Sequence, residues 1–303
     1  KHVKGCGHSD SLFMNSLFAK AIYNYALLLE NGLPDIIHCQ DASTALIPAY
    51  FKSNTLFNNV KTVVTIHNAG PAYHHSFSSI GEAAWYTGFD QDLLVGSLNN
   101  CKVEPFLLAL NSGANISTVS EEYAKELVDV SFHNETEGLS SIFSSREVSI
   151  KGITNGIDYD RYNPQCKEIS DLPFEFNPEK NDLEGKYLCR QFFLNEINSK
   201  KSFQDMKIFG SLKNENESNE NLIYISYHGR ITNQKGISVL IQSIPAILNN
   251  YKNVRFIVMG QGQLSLENDL VEITNKYKDK VVFLNGYNRT YARLTNAVAD
   301  FIV

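Results

Sequence analysis

Short runs of β-branched and aliphatic residues recur along this chain and alternate with longer segments of helical periodicity. Such alternation predicts βαβ units, in which crossover helices join the strands of a parallel sheet. The predicted strands are residues 35–39, 62–66, 116–119, 150–154, 222–227, 254–259, 281–284 and 300–303. The predicted fold class is therefore α/β, with parallel, Rossmann-like sheets.

The length of the chain allows two domains. Its 303 residues, 43% of them hydrophobic, can bury two separate cores. A hinge near residues 150–166 leaves predicted strands on both sides, so we predict one Rossmann-like domain over residues 1–152 and a second over 153–303. Because the first residue is not methionine and the last four residues have the pattern of a buried strand, we expect a fragment truncated at both ends.

The charge and cysteine content argue against several classes of partner. The formal net charge is -6 and the pI is about 5.8, so no broad positive field attracts nucleic acid or an anionic membrane. No apolar run is long enough to span a bilayer. Five cysteines without a CxxC pair fit neither a disulfide framework nor a zinc site. We expect a cytoplasmic protein with reduced thiols.

Two predicted strand ends in the first half carry polar residues of interest. Ligands of open parallel sheets gather beyond the carboxyl ends of the strands. Asp41 follows the first strand, where it either bonds a ligand hydroxyl or caps the next helix. His67 follows the second strand, where it either donates to a ligand and stabilises developing charge or bonds nearby backbone.

Three further residues are candidates for a site. Asn155 opens an Asn-Gly pair, which is typical of a tight turn, but its place at the predicted hinge also allows it to face a cleft. His74 and His75 are close to His67 in sequence, yet no carboxylate or cysteine completes a metal-ligand set at ordinary spacing. We therefore predict no metal.

The most informative segment is HGRITNQKG, residues 228–236, between a predicted strand and a predicted helix. Binding a diphosphate requires cations, close backbone approach and a helix N-terminus, and Gly229, Arg230, Lys235 and Gly236 supply these. A solvated loop with two basic residues is the alternative. The spacing departs from GxxxxGK[ST], which excludes a Walker-type loop. Farther along, Tyr287 either places its ring against a base or is simply exposed.

Taken together, these segments resemble the glycogen and starch synthase family. The matching pieces, in order and in spacing, are PDIIHCQDASTALIPAYF, TVVTIHNAG, ANISTVSEEYAKEL, GITNGIDYDRYNP, HGRITNQKG and GYNRTYARLTNAVADFIV. The resemblance covers the chain from about residue 34 onward. It implies a GT-B fold and the transfer of glucose from ADP-glucose or UDP-glucose to the non-reducing end of an α-1,4-glucan, with retention of configuration.

The resemblance also implies roles for individual residues. In the second domain, the donor side, Arg230 and Lys235 hold the nucleotide diphosphate beside Gly229, and Tyr287 packs on the nucleobase. In the first domain, the acceptor side, His67 lies beside the transferred glucose. Asp41 and Asn155 line the cleft, with Asn155 counted among the residues that bind the nucleotide sugar. Neither a cofactor nor a metal is required.

The chain also departs from the family pattern. A lysine and glycine-rich loop near the N-terminus and a Glu-Pro-Cys-Gly segment after the last strand are absent, and residues 70–75 replace the usual aromatic residue and Gln-Gly. The piece given is therefore expected to catalyse poorly. The alternatives are a related GT-B glycosyltransferase with another sugar donor and a non-catalytic nucleotide- or glucan-binding homologue.

Overall fold

The structure is a computed structural model that describes residues 8–30, 32–199, 206–213 and 222–303. The chain forms two compact units, one of residues 8–156 and one of Ile157–Val303. The boundary between the units lies between Gly156 and Ile157. The predicted domain boundary is four residues earlier, after residue 152.

The first unit is built around a four-stranded parallel sheet. Its strands, in the spatial order β1-β2-β5-β6, are β1 (Ile36–Gln40), β2 (Lys61–Ile66), β5 (Asn115–Thr118) and β6 (Ile150–Gly152). A separate antiparallel hairpin pairs β3 (Leu98–Asn99) with β4 (Lys102–Val103). Alternate residues of β2 are buried, so one face of the parallel sheet packs on the core and the other is partly open.

Eight α-helices accompany this sheet within the described residues. They are α1 (Ser11–Leu27), α2 (Asp41–Thr44), α3 (Ile47–Lys52), α4 (Ile80–Thr87), α5 (Gln91–Val95), α6 (Pro105–Asn111), α7 (Glu121–Glu126) and α8 (Leu139–Ser145). The core side chains come largely from α3, α6 and the inner face of β2. The Ser120 hydroxyl caps α7 by accepting from the Tyr123 amide.

The second unit has a five-stranded sheet in the order β11-β8-β9-β10-β7. Its strands are β7 (Lys207–Leu212), β8 (Ile223–His228), β9 (Val254–Gly260), β10 (Lys280–Asn285) and β11 (Phe301–Ile302). All pairings are parallel except that of β7 with β10. Every residue of the central β9 is buried, including Arg255, which fits a strand covered on both faces.

The second unit also contains six α-helices among its described residues: α9 (Tyr159–Tyr162), α10 (Lys167–Ser170), α11 (Glu184–Asn198), α12 (Ile237–Asn250), α13 (Leu264–Lys276) and α14 (Arg289–Val298). Side chains of α11 and α14 share one core with one face of the sheet. Side chains of α12 and α13 cover the other face. Helices on both faces are the arrangement expected for a parallel sheet.

The predicted α/β class with parallel sheets is confirmed, and all eight predicted strands are present to within two residues at each end. The antiparallel strand β7 and the β3–β4 hairpin were not predicted. Among the described helices, none combines the length and apolar character that crossing a bilayer would require.

Candidate functional site

His67 lies directly after β2, at the carboxyl end of the first sheet. The side chain is exposed, and its Nε2 lies 2.7 Å from Oε1 of Gln40, at the end of the neighbouring β1. Because an amide oxygen can only accept, Nε2 carries a proton and donates it. The imidazole is therefore oriented by a side chain from the adjacent strand while remaining accessible to a ligand.

Asp41 holds the backbone of the same strand end. Its Oδ1 accepts from the amide of His67 at 2.7 Å and from the amide of Asn68 at 3.4 Å. Asp41 is the first residue of α2 rather than its N-cap, and its side chain bonds the loop after β2 instead of capping the helix. Its φ of 57° is in the left-handed region, which aspartate tolerates better than most residues. Asp41 thus ties β1 to the loop that begins at His67.

The loop after His67 is held by further hydrogen bonds. The Ala69 amide donates to the hydroxyl of Tyr123 on α7 at 2.8 Å, and the Gly70 amide donates to Oδ1 of Asn68 at 2.7 Å. The Ala69 carbonyl accepts from Nε2 of His74 at 2.7 Å. Residues 70–75, where the chain departs from the family pattern, therefore fold back onto the start of their own loop.

His74 and Glu104 form a buried ion pair. Nδ1 of His74 lies 2.8 Å from Oε2 of Glu104, and the two side chains are 2% and 1% exposed. The Ser76 hydroxyl donates to the same carboxylate oxygen at 2.8 Å. Burial opposes protonation of His74, but the hydrogen bond and charge of Glu104 outweigh it, so the His74 pKa is raised. The neighbouring His75 has the opposite response, because burial lowers its pKa.

A cavity of about 660 Å³ opens on the partly covered face of the first sheet. His67 and Asn155 both line it, so the structure brings together two of the residues predicted for the site. A chain of hydrogen bonds crosses three strands along its floor. The His38 ring lies 2.6 Å from the Thr65 hydroxyl, which lies 2.8 Å from the Ser117 hydroxyl. The cavity thus has polar groups that can meet a hydroxylated ligand.

In the second unit, the loop after β8 is held mainly by its backbone. The Gly229 amide donates to the Met259 carbonyl, and the Ile231 amide donates to the Gln261 carbonyl. The Ile231 carbonyl in turn accepts from the Gln263 amide. These bonds extend the β8–β9 pairing past the strand ends. Two side chains add to this closure: the Tyr227 hydroxyl donates to the Arg230 carbonyl at 2.8 Å, and Oε1 of Gln263 accepts from the Asn233 amide at 3.3 Å.

Glycines make this close approach possible. A Cβ on Gly260 would lie 1.8 Å from the Gly229 carbonyl oxygen, and one on Gly262 would lie 2.2 Å from the carbonyl oxygen of Ile231. Real Cβ atoms do not approach backbone so closely. The GxG pair after β9 therefore lets two strand ends meet, a structural role that its sequence alone does not reveal.

Arg230 and Lys235 lie on this loop with their side chains exposed. Arg230 donates to Oε1 of Gln234 at 3.3 Å, and within the described residues neither cation forms an ion pair with a carboxylate. Gly236, with φ of 71°, turns the chain into α12, whose N-terminus has no side-chain cap. Two unneutralised cations therefore flank a helix N-terminus with open N–H groups.

Tyr287 follows β10 and Gly286 and is 63% exposed. Its ring is available to pack against a flat ligand group, and equally it can be a simple surface residue. The Gly286 amide donates to the Gly260 carbonyl at 3.0 Å, so the start of this loop is tied to the end of the neighbouring β9.

No metal centre is found in the described part of the chain, where no three His, Cys, Asp or Glu side chains cluster as ligands. His74, one of the histidines weighed for this role, is occupied by Glu104.

Sequence reasoning missed three residues that shape this site, namely Gln40, Glu104 and Tyr123. Gln40 could have been found, because it ends the strand beside the one that precedes His67. Glu104 gave no signal, since it pairs with a histidine 30 positions away. Tyr123 lies within the matched segment ANISTVSEEYAKEL, which gives no sign of its contact with the Ala69 amide.

Comparison with known proteins supports the family resemblance. A family model described as the starch synthase catalytic domain matches residues 4–142, and one described as glycosyl transferases group 1 matches residues 223–303. A glycogen synthase of Thermodesulfovibrio yellowstonii is 30% identical, with 94% of this chain and 52% of the relative covered. One of Flavobacterium johnsoniae is 28% identical, with 98% and 57% covered. The chain spans about half the length of these curated relatives.

Solved structures share the fold. A trehalose-6-phosphate synthase, OtsA, matches with a TM-score of 0.51 and 13% identity over 96% of this chain and 55% of that one. The N-terminal domain of a trehalose-6-phosphate phosphatase of Candida albicans matches with a TM-score of 0.54 and 14% identity over 95% and 54%. At such identities the likeness concerns the fold alone.

Proposed function

Since the chain is related to the glycogen and starch synthases and has the α/β fold of GT-B glycosyltransferases, we propose that it is part of a retaining glucosyltransferase. The donor is ADP-glucose or UDP-glucose, and the acceptor is the non-reducing end of an α-1,4-glucan. We place it in the cytoplasm, which is supported by the free state of Cys39, Cys101, Cys166 and Cys189.

The observation that carries this proposal is the pair of unneutralised cations on the loop after β8. An exposed arginine or lysine without a carboxylate partner keeps its full charge for a ligand. Arg230 and Lys235 are such residues, and they precede a fourteen-residue helix whose first N–H groups have no side-chain cap. A diphosphate satisfies the cations and the helix terminus together.

The proposed chemistry depends on charge separation in the transition state. Breaking the bond between the sugar and the diphosphate builds positive charge on the ring and negative charge on the departing phosphate. Arg230 and Lys235 stabilise the phosphate charge more in the transition state than in the ground state, which lowers the barrier. Tyr287 packs on the base, and Gly229 allows the backbone to approach the phosphates.

The first unit supplies the sugar-facing groups in this proposal. His67 has Nε2–H held by Gln40, and its exposed ring meets a hydroxyl of the transferred glucose. Asn155 contacts the sugar from the same cavity. Asp41 acts by fixing the His67 backbone, so its contribution to transfer is one of position.

Calorimetric titration of this chain with ADP and with UDP tests the donor site. Arg230→Ala and Lys235→Ala should each weaken binding roughly tenfold to a hundredfold, because each removes a charge-assisted contact of about 1.5 to 3 kcal/mol. Lys252→Ala is the matched control, since this exposed lysine precedes β9 at the opposite end of the strands. Its affinity should equal that of the wild type.

Three results would reject or narrow the proposal. Equal affinity of the wild type and both loop variants would remove the loop from the donor site. A clear preference for one nucleotide identifies the base of the donor. In a version of the protein that spans the full length of its relatives, nucleotide binding without glucose transfer would favour the non-catalytic homologue.

A further inference from the structure

The loop that starts at His67 is anchored to a buried charge. Ala69 lies two residues after His67, and its carbonyl oxygen is 2.7 Å from Nε2 of His74. The other ring nitrogen of His74 is 2.8 Å from the Glu104 carboxylate. A carbonyl and a carboxylate are both acceptors only, so both ring nitrogens must carry protons for the two contacts to exist. This geometry describes an imidazolium cation.

We propose that His74 is a positioning residue, a buried cation that bridges Glu104 and the Ala69 carbonyl and thereby fixes the loop carrying His67. The role in sugar transfer rests on the function proposed above. The positive charge of His74 and its hydrogen bond to the Ala69 carbonyl do not depend on that function. The proposal gives residues 70–75 a purpose in this chain, because they bring His74 back to the beginning of its own loop.

Glu104 is suited to this role because it is itself held firmly. It precedes α6, its Oε1 accepts from the Phe106 amide at 3.4 Å, and Ser76 donates to its Oε2. The edge of the His74 ring meets the Phe106 ring, with 6.2 Å between centroids. A carboxylate nearly removed from water costs much free energy unless it has a cation and hydrogen bonds, and His74 supplies the cation.

Other titratable groups lie around the His74–Glu104 pair, and some of them raise and others lower the pKa of the neighbouring histidines. Glu137, before α8, adds to the attraction for the His74 proton, and His75 is the neighbouring titratable group on the same loop. The charges of Asp41 and Glu104 both favour a proton on His75, but burial outweighs them there and lowers the His75 pKa. The carboxylates prevail over burial, so the pKa of His74 is raised.

The sign of the pH dependence follows from that shift. Because the pKa is higher in the folded chain, the pair's contribution to stability is complete below the ordinary imidazole value of about 6.5. It is lost as the pH rises through the folded value. Above that value one ring nitrogen presents a lone pair to an acceptor, and the Ala69 contact or the Glu104 contact must break.

Two measurements on the chain itself test this proposal. Long-range proton–nitrogen NMR of the His74 ring should show both nitrogens protonated at neutral pH. Hydrogen exchange of the peptide covering residues 67–75, corrected for intrinsic rates between about pH 6 and 10, should lose protection roughly tenfold in one step. Glu104→Gln should move that step to lower pH, because burial then acts without the opposing carboxylate.

The variants separate positioning from general structural damage. His74→Gln retains amide donors but cannot titrate, so its protection should show no step. His133→Gln, at an exposed histidine of the same unit, should leave the step in place. If His74→Gln does not fold, the proposal is still tested by whether Glu104→Gln moves the step in hydrogen exchange to lower pH. A ring with one proton at neutral pH, or an identical step in wild type and Glu104→Gln, would overturn the proposal. Neither readout depends on nucleotide binding, so a failed donor site leaves it intact.

Discussion

The loops after β2 and β8 both leave the carboxyl end of a parallel strand, yet they are held in opposite ways. Side chains close the first loop, with Asp41 gripping its start and His74 folding back onto Ala69. Backbone hydrogen bonds close the second, and glycines allow them to form. In a loop closed by side chains, the polar side chains that close it form hydrogen bonds within the loop and are not available to a ligand. A loop closed by backbone leaves its charged side chains free for a ligand.

The largest expected effect comes from breaking the backbone closure. Gly260→Ala places a Cβ 1.8 Å from the Gly229 carbonyl oxygen, so we expect the free energy of unfolding of the second unit to fall by about 4 kcal/mol or more. Urea denaturation measures this loss. Gly156→Ala is the control, because nothing lies within 4 Å of its Cβ, and its unfolding should be unchanged within about 0.5 kcal/mol. Equal, small effects would show that the strand ends can separate freely.

A smaller effect on stability is expected from a comparison of two arginines in the second unit, one in a buried ion pair and one exposed to solvent. Arg190 is 1% exposed, stacks 4.4 Å from the Tyr224 ring centre and bonds both Val298 and Asp300. Arg190→Met should lower the free energy of unfolding by about 3 kcal/mol, because it leaves a carboxylate without its partner. Arg230→Met should change it by less than about 0.5 kcal/mol. Chemical denaturation of both variants checks this contrast, which fails if their stabilities match.

The smallest of the three effects tests the side-chain closure of the first loop. Asp41→Ala removes the acceptor for two amides at a left-handed position, so we expect a loss of about 2 kcal/mol in unfolding free energy. Asp41→Asn keeps an amide oxygen and tolerates that backbone conformation, so its loss should be under about 1 kcal/mol. Thermal and urea unfolding of the pair measure the difference. Identical losses would mean that Asp41 stabilises the loop through its charge alone.

The strands were predictable because their pattern is local, whereas the closures of the loops are not. In β9 the apolar run of residues 256–259 indicates a strand buried on both faces, although Arg255 precedes it. By contrast, β7 is an antiparallel edge strand, and its sequence KIFGSL contains Gly210 and does not alternate regularly between apolar and polar residues. The His74–Glu104 pair joins residues 30 positions apart, so no periodicity or spacing indicates it.

The candidate site residues show the same difference between what a local pattern indicates and what only tertiary contacts determine. Position after a strand was enough to select His67, Arg230 and Lys235, since that position depends only on the strand pattern. The same reasoning offered two roles for Asp41 and could not choose, because its two amide partners belong to the loop that follows another strand. What a side chain binds depends on tertiary contacts, which single positions in a sequence do not carry.

The crowding around Gly260 has a practical consequence for random mutagenesis of the second unit. Random libraries spread over the second unit would lose many members at positions 229, 260 and 262, where any side chain meets other atoms at short range. Diversity is better concentrated at Tyr287, whose exposed ring can be exchanged without disturbing the strand ends. The three glycines should be treated as fixed framework when such libraries are designed.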